Sequence, residues 1–332
     1  MDLKTLTEIN APSGHEQAIR RFLLDELKKL GFAPVLDRMG NVVVVKEGTG
    51  DAPRKRVMVS AHMDEVGLIV TSATEDGYLR IAAAGGIDPR VLVSKRVTVG
   101  EDKLPGVIGA VPIHLQSAAE RKHVLSMDEL LVDIGAKNKD EAERKAPMGT
   151  YISFDTPYVE YGDGFACGKA FDDRVGCLSL LRLLQEELPV DLVACFVSEE
   201  EVGCRGAKGA AFQQEPDIGI VLEGTTCNDL GDVPETAHVC EAGQGVTVSF
   251  MDGASIANRA LFRKALDVAK QENIPHQVKH SVSGGNDGGA IQRAREGVPV
   301  VVLSVPCRYI HSPSSVVKLS DVESQFALVK AL

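Results

Sequence analysis

Tryptophan is absent from this chain, and aromatic residues make up only 5% of it. An aromatic stacking platform of the kind that holds sugar rings is therefore hard to build. No run of about 18 apolar residues is present, so no transmembrane helix is expected. The opening stretch, MDLKTLTEIN, is polar and has no apolar signal core. Paired CxxC motifs are missing. The seven cysteines, at 167, 177, 195, 204, 227, 240 and 307, are scattered, odd in number and mostly set in apolar runs. That usage reads as reduced, and the expected location is cytoplasmic. Basic residues are also short, at 36 against 47 acids, for a net charge of −11. This weighs against nucleic acid as a partner and is compatible with a site for divalent cations.

What is present fits a globular protein of two domains: 332 residues, 44% hydrophobic and 25% charged. Ser13 and Glu16 have capping-box spacing. Apolar residues then recur at Ile19, Phe22, Leu23, Leu27 and Leu30, and Gly31 ends the predicted helix. Strands are expected at 42–45 and 56–61. From about 67 to 163 the character changes to short β-like runs with frequent Gly and Pro, which reads as a small inserted β-rich domain. The charged segment KNKDEAERK at 137–145 reads as a solvated helix. After 165, helices alternate with strands. The expected fold is α/β, a mixed sheet flanked by helices.

Five places carry chemistry, all at predicted element ends. His62 and Asp64 follow the apolar run KRVMVSA, and Asp64 is placed to accept the second ring N–H of His62 and fix its tautomer. Asp172 and Asp173 stand in GKAFDDR. Glu200 and Glu201 follow LVACFV, and adjacent residues leaving a strand point to opposite sides. One of the two can then bind a metal while the other faces a bound water. Glu223 follows DIGIVL, and His311 stands in RYIHSP. In open α/β sheets, ligands gather outside the carboxyl ends of the strands. One imidazole with one or two carboxylates suits zinc, cobalt or manganese. A bridging carboxylate would hold two ions about 3.5–4 Å apart, as in two-metal hydrolases.

Each piece also has a plainer reading. DDR can be a helix N-terminus where acids favour the dipole. EEE at 199–201 can be a solvated run, and GGNDGG a glycine turn before a helix. Cys227 reads as structural, and His114 is ambiguous.

The joint pattern resembles the tetrahedral aminopeptidases, a family of co-catalytic metallopeptidases also known as glutamyl aminopeptidases, deblocking aminopeptidases or endoglucanase M. The resemblance rests on APSGHE (11–16), AHMDEVG (61–67), GKAFDDR (168–174), EEEVGCRGA (199–207), EGTT (223–226), GGNDGGAI (284–291) and RYIHSP, in the family's order along nearly the whole chain. It implies a zinc-peptidase-like catalytic domain from 1–66 and 164–332. It also implies a PDZ-like β-barrel inserted at 67–163 for oligomerisation. His62, Asp172, Glu201, Glu223 and His311 are the implied ligands of two divalent ions, zinc or cobalt. Asp172 would bridge them, with a cis peptide to Asp173. Glu200 is the implied catalytic base and Asp64 the partner that orients His62. Glu223 stands where many members have Asp, so the ion it binds, and how tightly, is open. Members commonly form dimers that assemble into tetrahedral dodecamers.

The resulting expectation is a binuclear aminopeptidase acting on oligopeptides, with neither nucleic acid nor membrane as partner. The rivals are a related metal-dependent deacylase or carboxypeptidase, a glucanase that would pair Glu200 with Glu223, and a non-catalytic metal-binding assembly protein.

Overall fold

A computed structural model describes residues 2–332. Its main body is an 11-stranded mixed sheet flanked by helices. Four central strands, Asp191–Val197, Arg56–His62, Ile218–Cys227 and Val300–Arg308, run parallel to one another. Antiparallel strands extend the sheet on both sides. The central strands are buried nearly end to end. Continuous burial of that kind is what helices on both faces of a parallel sheet require, and it explains runs such as LVACFV. One face packs against Phe171–Leu183 and the C-terminal helix Leu319–Ala331, the other against Arg205–Gln214 and Asp287–Gln292.

Register sets up the site. His62 pairs with Val197 and Ser60 with Val221. The carboxyl ends of the 56–62 and 191–197 strands therefore stop level. Ile218–Cys227 runs on past them, so Glu223, two residues after Val221, stands level with His62. Glu223 thus lies within a strand rather than after one.

Six strands between Gly67 and Phe154 close into an antiparallel barrel with its own apolar core. The chain enters it directly from the 62–66 loop. The strand Val159–Tyr161, within the range read as inserted, pairs with Phe165–Gly168 in the large sheet. The charged segment forms the helix Lys139–Lys145, which buries Ala142 against the barrel.

One local expectation fails. Ser13 does not cap the first long helix, Gln17–Lys29, and Glu16 at its N-cap makes no side-chain capping bond. Ser13 Oγ instead donates to Asp64 at 2.6 Å, while Glu16 accepts the N–H of Gly14 at 2.7 Å. A buried carboxylate draws the hydroxyl more strongly than a helix N–H does. The helix end is as expected, with Gly31 at φ +86°.

Candidate metal centre

His62 is the last residue of its strand and is 1% exposed. Its Nδ1 lies 3.2 Å from the backbone oxygen of Asp64 and 3.4 Å from Asp64 Oδ1. Its Nε2 lies 3.2 Å from Asp172 Oδ1 and 3.6 Å from Glu223 Oε2. One ring nitrogen is thus held by Asp64, and the other faces two carboxylates.

His311 lies beyond the strand Val300–Arg308, at φ +56°. Its Nε2 is 3.5 Å from Asp172 Oδ2 and 3.3 Å from Glu201 Oε2. Asp172 therefore presents one oxygen to each histidine. It sits at the start of the helix Phe171–Leu183, and its peptide to Asp173 is cis. Gly224 N–H donates to Asp172 Oδ1 at 3.2 Å, and a Cβ at 224 would lie 3.0 Å from that oxygen. Only glycine allows so close an approach. Asp173 plays the plainer role and caps the helix: its oxygens accept the N–H groups of Gly176 and His62, at 3.0 and 3.1 Å.

Glu200 and Glu201 stand in the turn after their strand, where side-chain alternation no longer applies. Their orientation comes from Asp64, which is fully buried. Asp64 Oδ1 accepts Glu200 N–H at 3.1 Å and Oδ2 accepts Glu201 N–H at 3.2 Å. Glu201 then turns toward His311. Glu200 instead meets Cys204, whose thiol donates to Oε1 at 3.3 Å. Glu199, Cys204 and His311 all have left-handed backbone, unusual for non-glycine residues and frequent where geometry serves a site.

Charge is concentrated here with little compensation. Burial raises the pKa values of Glu200 and Glu223 and carries Glu201 up to about 8. Burial opposes the charged form of His311, but the hydrogen bond to Asp172 and the charge of Glu201 take it up to about 9. His62 moves the same way: burial opposes its charge, while hydrogen bonds to Asp172 and Asp64 and the nearby Glu223 raise it well above the ordinary value. Burial of Asp172 is outweighed by the two histidines, which lower its pKa. Glu223 Oε1 is buried with no hydrogen-bond partner. An orphaned buried carboxylate oxygen beside a cluster of imidazole and carboxylate groups fits a ligand for a divalent cation.

All seven residues singled out from the sequence, His62, Asp64, Asp172, Glu200, Glu201, Glu223 and His311, converge on one place at the carboxyl edge of the sheet. His114, left ambiguous, is exposed in the short turn Ile113–Leu115 and makes none of these contacts.

A family profile described as M42 glutamyl aminopeptidase matches residues 40–328. The chain belongs to this family. It is 33% identical to the glutamyl aminopeptidase of Lactococcus lactis, over 99% of this chain and 94% of that one. It is equally 33% identical to the lysyl aminopeptidase of Pyrococcus furiosus, over 99% and 95%. Among solved structures, the Pyrococcus horikoshii TET1 peptidase, which can assemble into a tetrahedron or a large octahedral shell, superposes with a TM-score of 0.87. It is 32% identical, covering 99% of this chain and 97% of that one. As an M42 peptidase, the chain is a hydrolase acting on peptide bonds at the N-terminus.

Three nearby residues escaped the sequence reading. Lys279 is 6% exposed and lines the cleft of about 300 Å³ that also holds Asp172, Glu200, Glu223 and His311. Its Nζ donates to the backbone oxygen of Ser283 at 3.0 Å. Nothing around it in sequence marks it. Cys204 and Asp287 lie in segments that carry the family resemblance; Cys204 reaches Glu200 through a local turn of four residues, whereas only the fold brings Asp287 there.

Proposed function

We propose that this chain is a two-metal aminopeptidase with a preference for acidic N-terminal residues. The observation that carries the metal reading is Asp172, whose two oxygens face two histidines, each with a further carboxylate: Glu223 beside His62 and Glu201 beside His311. Imidazole with carboxylate oxygen suits zinc or cobalt, and the unpartnered oxygen of Glu223 fits a missing ligand bond. Glu223 is in reach of His62, so its extra methylene relative to Asp is accommodated.

Bound ions of this kind supply a Lewis acid for the scissile carbonyl and acidify the attacking water. The remaining work falls to the chain's own groups. Glu200 is not turned toward either histidine and faces the cleft, where it is part-buried, so it is free to accept the proton of the attacking water. The same carboxyl then returns that proton to the departing amine. Asp64 fixes the backbone of Glu200 and the ring of His62 together, and so sets the base relative to the ligands.

Lys279 supports the acidic preference. It is the only lysine or arginine lining the cleft, and it is buried against a backbone oxygen rather than a carboxylate. Burying an ammonium without a counter-ion is costly. A glutamyl or aspartyl side chain entering the cleft would provide one.

Assembly is proposed through the barrel. Its 110–124 segment exposes Val111, Ile113, Leu115 and Val124, at 62%, 67%, 71% and 59%. Apolar residues gathered on one exposed loop favour contact with further copies. Seven free cysteines and the absence, among the described residues, of a helix long and apolar enough to cross a membrane accord with a cytoplasmic enzyme.

The test is a panel of aminoacyl-p-nitroanilides, run after chelation and after restoring zinc or cobalt. Release from Glu and Asp derivatives above Leu and Lys derivatives, dependent on added ion, is the expected result. Release that survives complete chelation would overturn the metal reading.

A further inference from the structure

A third cluster of ligand atoms lies beside the two histidine groups. Glu200, Cys204 and Asp287 place one oxygen, one sulfur and one oxygen within 4.8 Å of one another. Asp287 opens the short helix Asp287–Gln292 and is fully buried. Both of its carboxylate oxygens lack any hydrogen-bond partner, although buried carboxylates normally have several. Neither oxygen is used in the reading of the active site given above. Cys204, held at φ +52° just before the helix Arg205–Gln214, turns its thiol toward Glu200 Oε1 at 3.3 Å.

The chemistry of this set differs from that of the histidine groups. It has no imidazole, and it offers a potential thiolate flanked by two carboxylates. Hard cations such as magnesium avoid sulfur, whereas zinc and cadmium favour it. Binding such an ion displaces the thiol proton to solvent and satisfies the orphaned oxygens of Asp287. Glu200 would become a ligand and so lose its capacity to accept a proton from water.

We propose that Glu200, Cys204 and Asp287 form a third divalent-cation site, selective for thiophilic ions, whose occupation switches the peptidase off. The inhibitory half of this rests on Glu200 being the general base. The binding half does not.

The experiment titrates cadmium into protein already carrying its catalytic ions, following the thiolate-to-cadmium ultraviolet charge-transfer band and peptidase activity together. His62, Asp172, Glu201, Glu223 and His311 contain no sulfur, so exchange at those positions is silent in that band. Wild-type protein should develop the band to one equivalent, with activity falling in step. Cys204→Ser should lose the band and, measured against its own cadmium-free rate, need at least about tenfold more cadmium for half-inhibition. Even losing an outer-sphere partner of a ligand weakens metal sites by about 10–100-fold. Asp287→Asn should weaken the band's titration while leaving Cys204 in place. Cys167→Ser is the control, since Cys167 is the other thiol that is not fully buried. A band that persists in Cys204→Ser, or no band in wild type, overturns the site. A band that depends on Cys204 while activity is unaffected retains the site and overturns the role of Glu200.

Discussion

Asp64 accepts the backbone N–H of Glu200 at 3.1 Å through the same oxygen that lies 3.4 Å from His62 Nδ1. One fully buried carboxylate thereby ties the end of one central strand to the turn after its neighbour. Its other oxygen accepts Glu201 N–H and the Ser13 hydroxyl. His62, Glu200 and Glu201 are thus positioned by a residue that does not itself line the cleft.

On the proposed reading, that arrangement separates Glu200, as base, from the ligand set. Glu200→Gln keeps shape and removes proton transfer. The expected loss of kcat is at least about 100-fold. Metal content by atomic emission should stay at the wild-type value, and a near-wild-type rate would sink the assignment.

The division of ligands predicts a stoichiometry. His62→Ala and His311→Ala should each lose one ion, whereas Asp172→Ala should disturb both, because its two oxygens face different histidines. Metal analysis after dialysis decides the matter. Full occupancy in all three variants would refute the ligand set.

Protons and ions compete for the same groups. Without ions, Glu201 stays protonated up to about 8 and His311 up to about 9. Ion binding requires the first ionised and the second neutral, so affinity should rise with pH across this range and binding should release protons. Both folded-state values lie above the ordinary ones, 4.5 for Glu and 6.5 for His. The stability each contributes to the ion-free protein is therefore complete at lower pH and is lost as pH climbs through 8 and 9. Melting of chelated protein should fall between pH 6.5 and 9, and added zinc should abolish that slope. A chelated protein whose Tm is flat over this range would contradict the assignment.

Lys279 gives a charge-reversal test. Lys279→Glu should lower kcat/KM for the glutamyl substrate by at least about tenfold, since a charge-assisted pair of about 1.5–3 kcal/mol is replaced by repulsion. Activity toward the lysyl substrate should rise relative to wild type. Equal losses on every substrate would mean that Lys279 serves the fold and not selection.

Assembly can be probed without deleting the barrel. The double substitution Ile113→Glu and Leu115→Glu alters two exposed side chains and leaves the barrel core intact. Light scattering should report a smaller species than wild type. An unchanged mass would move the interface elsewhere on the molecule.

Much of the site was legible in the sequence because its residues lie close to strand ends, where apolar runs stop and charge begins. The parallel core was legible for a related reason: strands buried on both faces leave unbroken runs of Val, Ile and Leu. The sequence by itself determined the α/β class and the β-rich stretch after residue 67, and it singled out seven residues that the fold gathers in one place. Tertiary structure decided the rest. Register made Glu223 a mid-strand residue level with His62, which no periodicity reveals. The demand of a buried carboxylate for donors took Ser13 from the helix it was spaced to cap and gave it to Asp64. Lys279 and Asp287 meet Glu200 across separations of tens of residues, and Cys204, only four residues on, is turned back to it by the left-handed turn at its own position. The physical reason is that local pattern encodes which face of an element is apolar, whereas the partner of a buried polar group is chosen only once the faces have packed.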